Sequence, residues 1–276
     1  MKNAASNCIL CGSTARNLLY SQNQWTVYQC TRCKLGVLDP RPDDAELADL
    51  YCGEYFQSQY ENELRIDSAA MKKRLAQEKH RLRFFRPLKK EGRLLDIGCG
   101  RGYFLLAGRE KGYDVTGIDV SADVAAYVTR ELKIPVNIGE ISTIKLPDKS
   151  FDVITMWHSL EHTEDPNICL RKARRWMKED GILVVDVPNY AGYDARKTWD
   201  QWLGWQLPYH FYHFTKDSLF ALLAQNGFTV IRGKHYLSEY MKQKLEKFMP
   251  SFVARIIARF YSGHSFAVVA KKTTDG

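Results

Sequence analysis

No apolar run in these 276 residues approaches the roughly 20 needed to cross a bilayer as a helix. The opening MKNAASNCILCG lacks the basic start and long apolar centre of a secretion signal, so the expected compartment is the cytoplasm. No internal repeat and no low-complexity tract is present, which excludes a repeat array and a disordered scaffold. Cysteine is sparse, at seven residues, and four of these fall into two close pairs. That usage speaks against a disulfide framework and for a metal site in a reducing compartment. The glycines of LLDIGCGRGYF (94–104) are not followed by Gly-Lys-Ser or Gly-Lys-Thr, so they do not form a phosphate loop. A dinucleotide fingerprint beginning at Gly98 would need Gly or Ala where Tyr103 stands.

With 45% hydrophobic residues, the chain can build one large α/β domain and a small appendage. It divides near residues 40 and 90 into segments 1–40, 41–92 and 93–276. In the first, Cys8 and Cys11 are separated by eighteen residues from Cys30 and Cys33, the spacing of a four-thiolate zinc ribbon. A zinc ion held by these four sulfurs would organise a segment too small for a core of its own, and a closed four-cysteine site has no open position for chemistry. In the second, prolines in DPRPDDAELADLY stop the ribbon and Asp43 or Asp44 can cap a short helix. A basic helix is expected from Asp67 to about Lys90. The net charge of +8 originates here, because residues 65–93 hold eleven Lys or Arg against three Asp or Glu. Such a segment suits nucleic acid, acidic lipid or an acidic sugar phosphate, or else is the solvated face of an amphipathic helix.

The third segment alternates strand and helix. RLLDIG, DVTGIDV, PVNIGEI, FDVITMWH and GILVVDVPN read as five strands, with helices around 103–111, 122–132 and 166–179. The pattern predicts a parallel sheet covered on both faces. FTVIRGKHY and SFAVVAKK, separated by a helical insertion over 238–262, suit a closing antiparallel pair. Ligands of such sheets bind beyond the carboxyl ends of the strands. There Asp96 would repel a phosphate and favour a cationic amino group. Asp119, twenty-one residues after Gly98, stands at the distance of an acid that takes both ribose hydroxyls, and Glu140 closes the third strand. A ligand with a ribose, a positive charge and no phosphate fits this set, and S-adenosylmethionine has all three.

In order and spacing, LLDIGCGRGYF, GIDVS, LPDKSFDVI, HSLEH and GILVVDVPN resemble the successive motifs of class I S-adenosylmethionine-dependent methyltransferases. The resemblance implies a Rossmann-like, seven-stranded, mostly parallel sheet with its last strand reversed. It also implies that Gly98, Gly100 and Gly102 approach the methionine and ribose, Asp96 the amino group, Asp119 the ribose hydroxyls, and Glu140 with Ile141 the adenine. The paired cysteines, the PN after the fifth strand and HFYHFTKDSLFALLAQNGF are similar to bacterial methyltransferases with an N-terminal zinc ribbon, often tied to surface polysaccharide or secondary metabolite synthesis. The expected activity is methyl transfer, on oxygen, to a small-molecule or glycan acceptor, including sugar nucleotides and lipid-linked sugars. An RNA methyltransferase is the alternative enzyme, though the ribbon lacks the basic and aromatic cluster of a base-stacking platform. A non-catalytic cofactor-binding scaffold is the other, against which the intact glycines and ribose acid argue.

His158, Glu161 and His162 follow the fourth strand directly, and His158 is the candidate base. Ubiquinone-pathway O-methyltransferases and small-RNA 2′-O-methyltransferases carry a similar segment, with Glu where His158 stands, that is associated with a divalent metal. By that resemblance His158, Glu161 and His162, joined by His210 or His213, can bind one. After the fifth strand, Trp199, Trp202, Trp205, Tyr209, His210 and His213 are candidates for an acceptor pocket or lid, or for a satellite core over the sheet edge. In MKQKLEKFMPSFVARIIARF (241–260), Leu245, Phe248, Met249, Phe252, Val253, Ile256, Ile257 and Phe260 recur at helical spacing around a break at Pro250. Such a stripe suits core or dimer packing, or a membrane surface. The oligomeric state is left open by the sequence.

Overall fold

The computed structural model describes residues 7–43, 46–47 and 68–273. The short chain segment at its front folds around two cysteine knuckles and an antiparallel meander of β1 (Arg16–Gln22), β2 (Trp25–Cys30) and β3 (Gly36–Leu38). Each knuckle closes on a left-handed residue. Gly12, at φ +70°, donates its amide to the Cys8 carbonyl (2.8 Å), and Lys34, at φ +61°, donates to that of Cys30 (3.0 Å). Asp43 caps the turn that follows, with its carboxylate accepting from the Glu46 amide at 3.0 Å and the Glu46 carboxylate returning to the Asp43 amide at 2.9 Å. The remainder of the expected short helix and the aromatic run YCGEYF lie outside the described residues.

The basic helix α1 spans Ala69–Phe85, shorter at both ends than expected. Ser68 caps it by accepting from the Met71 amide, and Pro87 prevents its continuation. Met71, Leu75, Leu82 and Phe85 bury its apolar stripe.

The large domain then follows as β4 (Gly92–Ile97), α2 (Tyr103–Arg109), β5 (Tyr113–Asp119), α3 (Ala122–Glu131), β6 (Val136–Ile138), β7 (Phe151–Trp157), α4 (Pro166–Trp176), β8 (Met177–Pro188), α5 (Tyr193–Thr198), β9 (Tyr212–His213), α6 (Lys216–Gln225), β10 (Phe228–Leu237), α7 (Glu239–Glu246), α8 (Ser251–Ala258) and β11 (Ser262–Lys272). Seven strands form one sheet in the order β10-β11-β8-β7-β4-β5-β6. Strands β4 to β8 are paired in parallel, while β11 runs antiparallel to both β8 and β10. Helices cover both faces, so β7 is buried along its whole length, Asp152 and Thr155 included. The helix expected to reach residue 179 stops at Trp176, because the fully buried Met177 turns extended and pairs with Phe151.

The boundary expected near residue 40 is crossed by hydrogen bonds. Strand β9 pairs with β3, Gly36 opposite His213 and Val37 opposite Tyr212, and so completes a second, four-stranded sheet. Trp205 stacks on Tyr20 of β1 with ring centroids 4.3 Å apart. The N-terminal strands and the large domain therefore share one apolar core. Among the described residues no helix is long and apolar enough to cross a membrane.

Candidate active site

The carboxyl ends of β4, β7 and β8 open onto a cavity of about 380 Å³. Its floor is the turn between β4 and α2. Gly98, at φ +75°, lies so close to the next loop that an added Cβ would come within 2.6 Å of the Ser159 Cβ. Gly102, at φ +68°, starts α2, and there an added Cβ would meet Val128 at 2.9 Å. Both positions need the left-handed backbone and the missing side chain together.

Asp96 ends β4 inside this cavity, 3% exposed, and accepts a hydrogen bond from Thr155 Oγ1 at 2.5 Å. Burial pushes its carboxyl up to about 8, against the Thr155 hydroxyl and the Arg81 charge, which pull it down. Asp119 ends β5 behind the glycine turn and is not part of the cavity wall. Its Oδ2 accepts from the Gly100 amide (2.8 Å) and its Oδ1 from the Ser121 amide (3.0 Å), while burial raises its carboxyl above the usual range. Glu140 lies exposed just beyond β6, with buried Ile141 next to it, and neither lines the cavity.

From the neighbouring strand, His158 follows β7 into the cavity with a left-handed backbone (φ +54°) and its side chain about one-third (34%) exposed. Nδ1 stands 3.4 Å from Glu161 Oε1 and Nε2 stands 3.8 Å from Asp186 Oδ2. Burial alone would lower its imidazole, but these two carboxylates outweigh it and hold the group above its ordinary value. Glu161 sits in a single helical turn, Leu160–His162, and is wholly buried with no hydrogen bond to either carboxylate oxygen. His162 Nδ1 donates to the Tyr209 carbonyl (2.9 Å), and His210 Nδ1 donates to that of Gly204 (2.8 Å). Each ring is thereby fixed with its Nε2 lone pair free to bind a metal. Ligand atoms of Glu161, His162 and His210 lie within 4.8 Å of one another. Burial lowers both imidazoles, which keeps them neutral.

Of the six aromatic and histidine candidates after the fifth strand, His210 alone lines the cavity. Trp202 and Trp205 are buried in the shared core, where Trp205 Nε1 donates to the Trp199 carbonyl at 2.8 Å. Tyr209 contributes its carbonyl to His162. His213 is held in β9, where burial lowers its imidazole to about 3.

Several cavity residues carry no motif. Arg74, Glu78 and Arg81 reach the cavity from α1, with buried Glu78 bridging Arg74 (3.0 Å) and Arg81 (2.9 Å). The Arg81 guanidinium lies over the Trp157 ring at 5.1 Å. Part of the basic run thus turns inward to the ligand cavity. Its only sequence signal was the lone Glu78 among cations. Asp186 is buried in β8 and accepts from the Tyr236 hydroxyl at 2.7 Å, and His264 of β11 joins the rim.

At the front of the chain, the sulfurs of Cys8, Cys11, Cys30 and Cys33 lie within 4.8 Å of one another, with Cys8 to Cys33 at 3.4 Å and Cys11 to Cys30 at 3.5 Å. Burial raises the Cys30 thiol, but the backbone amides of Cys33 and Arg32 outweigh it and bring it down to about 7.

A model of the methyltransferase domain matches residues 68–232, and the chain belongs to this family. Its fold is similar to that of a solved S-adenosylmethionine-dependent methyltransferase of Archaeoglobus fulgidus, with a TM-score of 0.56 and 25% identity over 72% of this chain and 94% of that one. The 1,6-didemethyltoxoflavin-N1-methyltransferase of Burkholderia thailandensis, solved with S-adenosylhomocysteine, shares the fold at a TM-score of 0.53 and 18% identity over 93% of this chain and 99% of that one. Among curated proteins, the ubiquinone biosynthesis O-methyltransferase of Alkalilimnicola ehrlichii is 32% identical over 103 residues, 35% of this chain and 42% of that protein. The (S)-coclaurine N-methyltransferase of Thalictrum flavum subsp. glaucum is 32% identical over 101 residues, 34% of this chain and 28% of that protein. The chain spans less than half the length of these curated relatives.

Proposed function

We propose that this chain transfers a methyl group from S-adenosylmethionine to a hydroxyl of a small-molecule or glycan acceptor, with sugar nucleotides and lipid-linked sugars among the candidates. One observation carries the reading: a buried acid suited to a cation and a histidine held by two carboxylates line one cavity together with a glycine-rich turn. When bound, S-adenosylmethionine supplies an electrophilic methyl on a sulfonium. The chain's part is to hold the amino end against Asp96, to keep the glycine turn in place through Asp119, and to align the acceptor. An acceptor oxygen bonding to that methyl carbon loses a proton as the carbon–sulfur bond breaks and its electron pair leaves with sulfur. The His158 imidazole is positioned to take that proton.

Glu161, His162 and His210 suit a divalent cation, because a carboxylate without donors and two neutral imidazoles held by their far nitrogens form a set short of one positive charge. Bound there, such an ion would lower the pKa of an acceptor hydroxyl. The four cysteines suit Zn²⁺, whose tetrahedral bonds of about 2.3 Å need sulfurs about this close.

The test is transfer of labelled methyl from the cofactor to a panel of sugar nucleotides, glycolipids and RNA. Transfer to a hydroxyl of the first two classes is expected, and exclusive labelling of RNA would overturn the acceptor reading. His158→Gln should lower kcat by about 10²–10⁴-fold with cofactor affinity unchanged. Full turnover in that variant would remove His158 as the base.

A further inference from the structure

The insertion between β10 and β11 is a hairpin of α7 and α8 whose outer face has no partner among the described residues. Its stripe of eight apolar residues divides in two. Leu245, Met249, Val253 and Ile257 are half-buried on the side where Ala254 and Ala258 are covered. Phe248, Phe252, Ile256 and Phe260, each four residues from the next, are 81%, 67%, 54% and 85% exposed. A face-forming spacing of this kind places them along one side of α8 and its flanks. Packing into the chain's own core is therefore excluded for these four. Around them Lys244, Lys247, Arg255 and Arg259 are exposed and make no ion pair among the described residues, while Glu239 is engaged by Lys242 at 3.0 Å and Glu246 by the Ser251 hydroxyl at 2.6 Å.

The hairpin is firmly rooted. The buried Ser238 hydroxyl donates to Asp194 of α5 and caps α7 by accepting from the Met241 amide at 2.9 Å, and the Glu239 amide donates to Asp194 Oδ2 at 3.0 Å. Strand β10 runs parallel to β8, so the hairpin leaves the sheet at the same edge onto which the cavity opens, where His264 of β11 forms part of the rim.

We propose that this face docks on an anionic lipid surface. Aromatic and branched side chains ringed by unpaired cations match the apolar boundary and negative headgroups of such a surface. A second copy of the chain fits less well, since a two-fold contact would bring the same four cations against themselves. The inference goes beyond the methyl-transfer reading and stands independently of it.

The test is cosedimentation of the full chain with vesicles of phosphatidylglycerol and phosphatidylcholine, against vesicles of phosphatidylcholine alone. Binding to the anionic vesicles, weakened by added salt and at least about tenfold weaker for Phe252→Ser with Phe260→Ser, is expected. Both positions are exposed, so the variant should keep the circular dichroism spectrum and the cofactor affinity of the parent, and these two measurements separate a lost docking face from a lost fold. Failure of the parent chain to bind anionic vesicles would overturn the proposal. So would equal binding by the folded variant, or a concentration-dependent dimer that the substitutions abolish.

Discussion

The two walls of the cavity are built on opposite principles. On the glycine side, Asp119 behind the turn has its oxygens engaged by the amides of Gly100 and Ser121, and Asp96 in the cavity is held by Thr155. On the histidine wall, Glu161 is buried with neither oxygen hydrogen-bonded, and His162 and His210 have only their outer nitrogens engaged. Buried polar atoms without partners are costly, which sets the Glu161 carboxylate apart from the two acids on the glycine side. The first wall is complete in itself. In the second, the Glu161 carboxylate and the two inner imidazole nitrogens are the atoms that the proposed divalent cation would take up.

The largest expected effect tests the completeness of the glycine wall. Asp119→Ala leaves two amides without an acceptor and loosens the turn, so cofactor affinity by calorimetry should fall on the order of tenfold to a hundredfold. An unchanged affinity would show that the turn stands without it. Next in size is Glu161→Gln, which takes away one of the two carboxylates beside His158. The imidazole then loses part of what holds it above its ordinary value, so its titration followed by NMR should move down, and affinity for manganese should fall with it. An unchanged imidazole titration would mean that Glu161 does not set the charge of the histidine wall. The smallest effect concerns Asp96. With its carboxyl raised to about 8, it is mostly protonated at neutral pH in the free protein. A bound ammonium lowers that value, so cofactor binding at about pH 7 should release up to about one proton. Calorimetry in buffers of different ionisation heat reads this directly, and Asp96→Asn should abolish it. Proton uptake on binding would contradict the sign.

The difference between the walls also explains what was legible in advance. The glycine wall is local: strand, turn, helix and the next strand follow within thirty residues of chain, from Gly92 to Asp119, and their apolar runs and glycines mark each step. The closing pair β10 and β11 was equally plain, as apolar runs on either side of an insertion. The histidine wall is assembled from afar. His158, Glu161 and His162 announced themselves as a cluster, but only tertiary packing selects His210 over His213 as their neighbour and leaves Trp202 and Trp205 in the core. Arg74 and Arg81 belong to a basic run whose sequence leaves ligand binding and a solvated face both open, because their spacing does not show that Glu78 turns them toward the cavity. Strand β9, at two residues, is too short for any periodicity to mark it.

That shortest strand governs the order in which the molecule can be made. Gly36 and Val37 are translated well before their partners His213 and Tyr212, which follow only after most of the sheet. The cysteine knuckles can gather their four sulfurs from residues 8–33 alone, but the edge they support stays open until residues 212–213 have been made. Closure of the knuckles can thus come well ahead of the sealing of that edge.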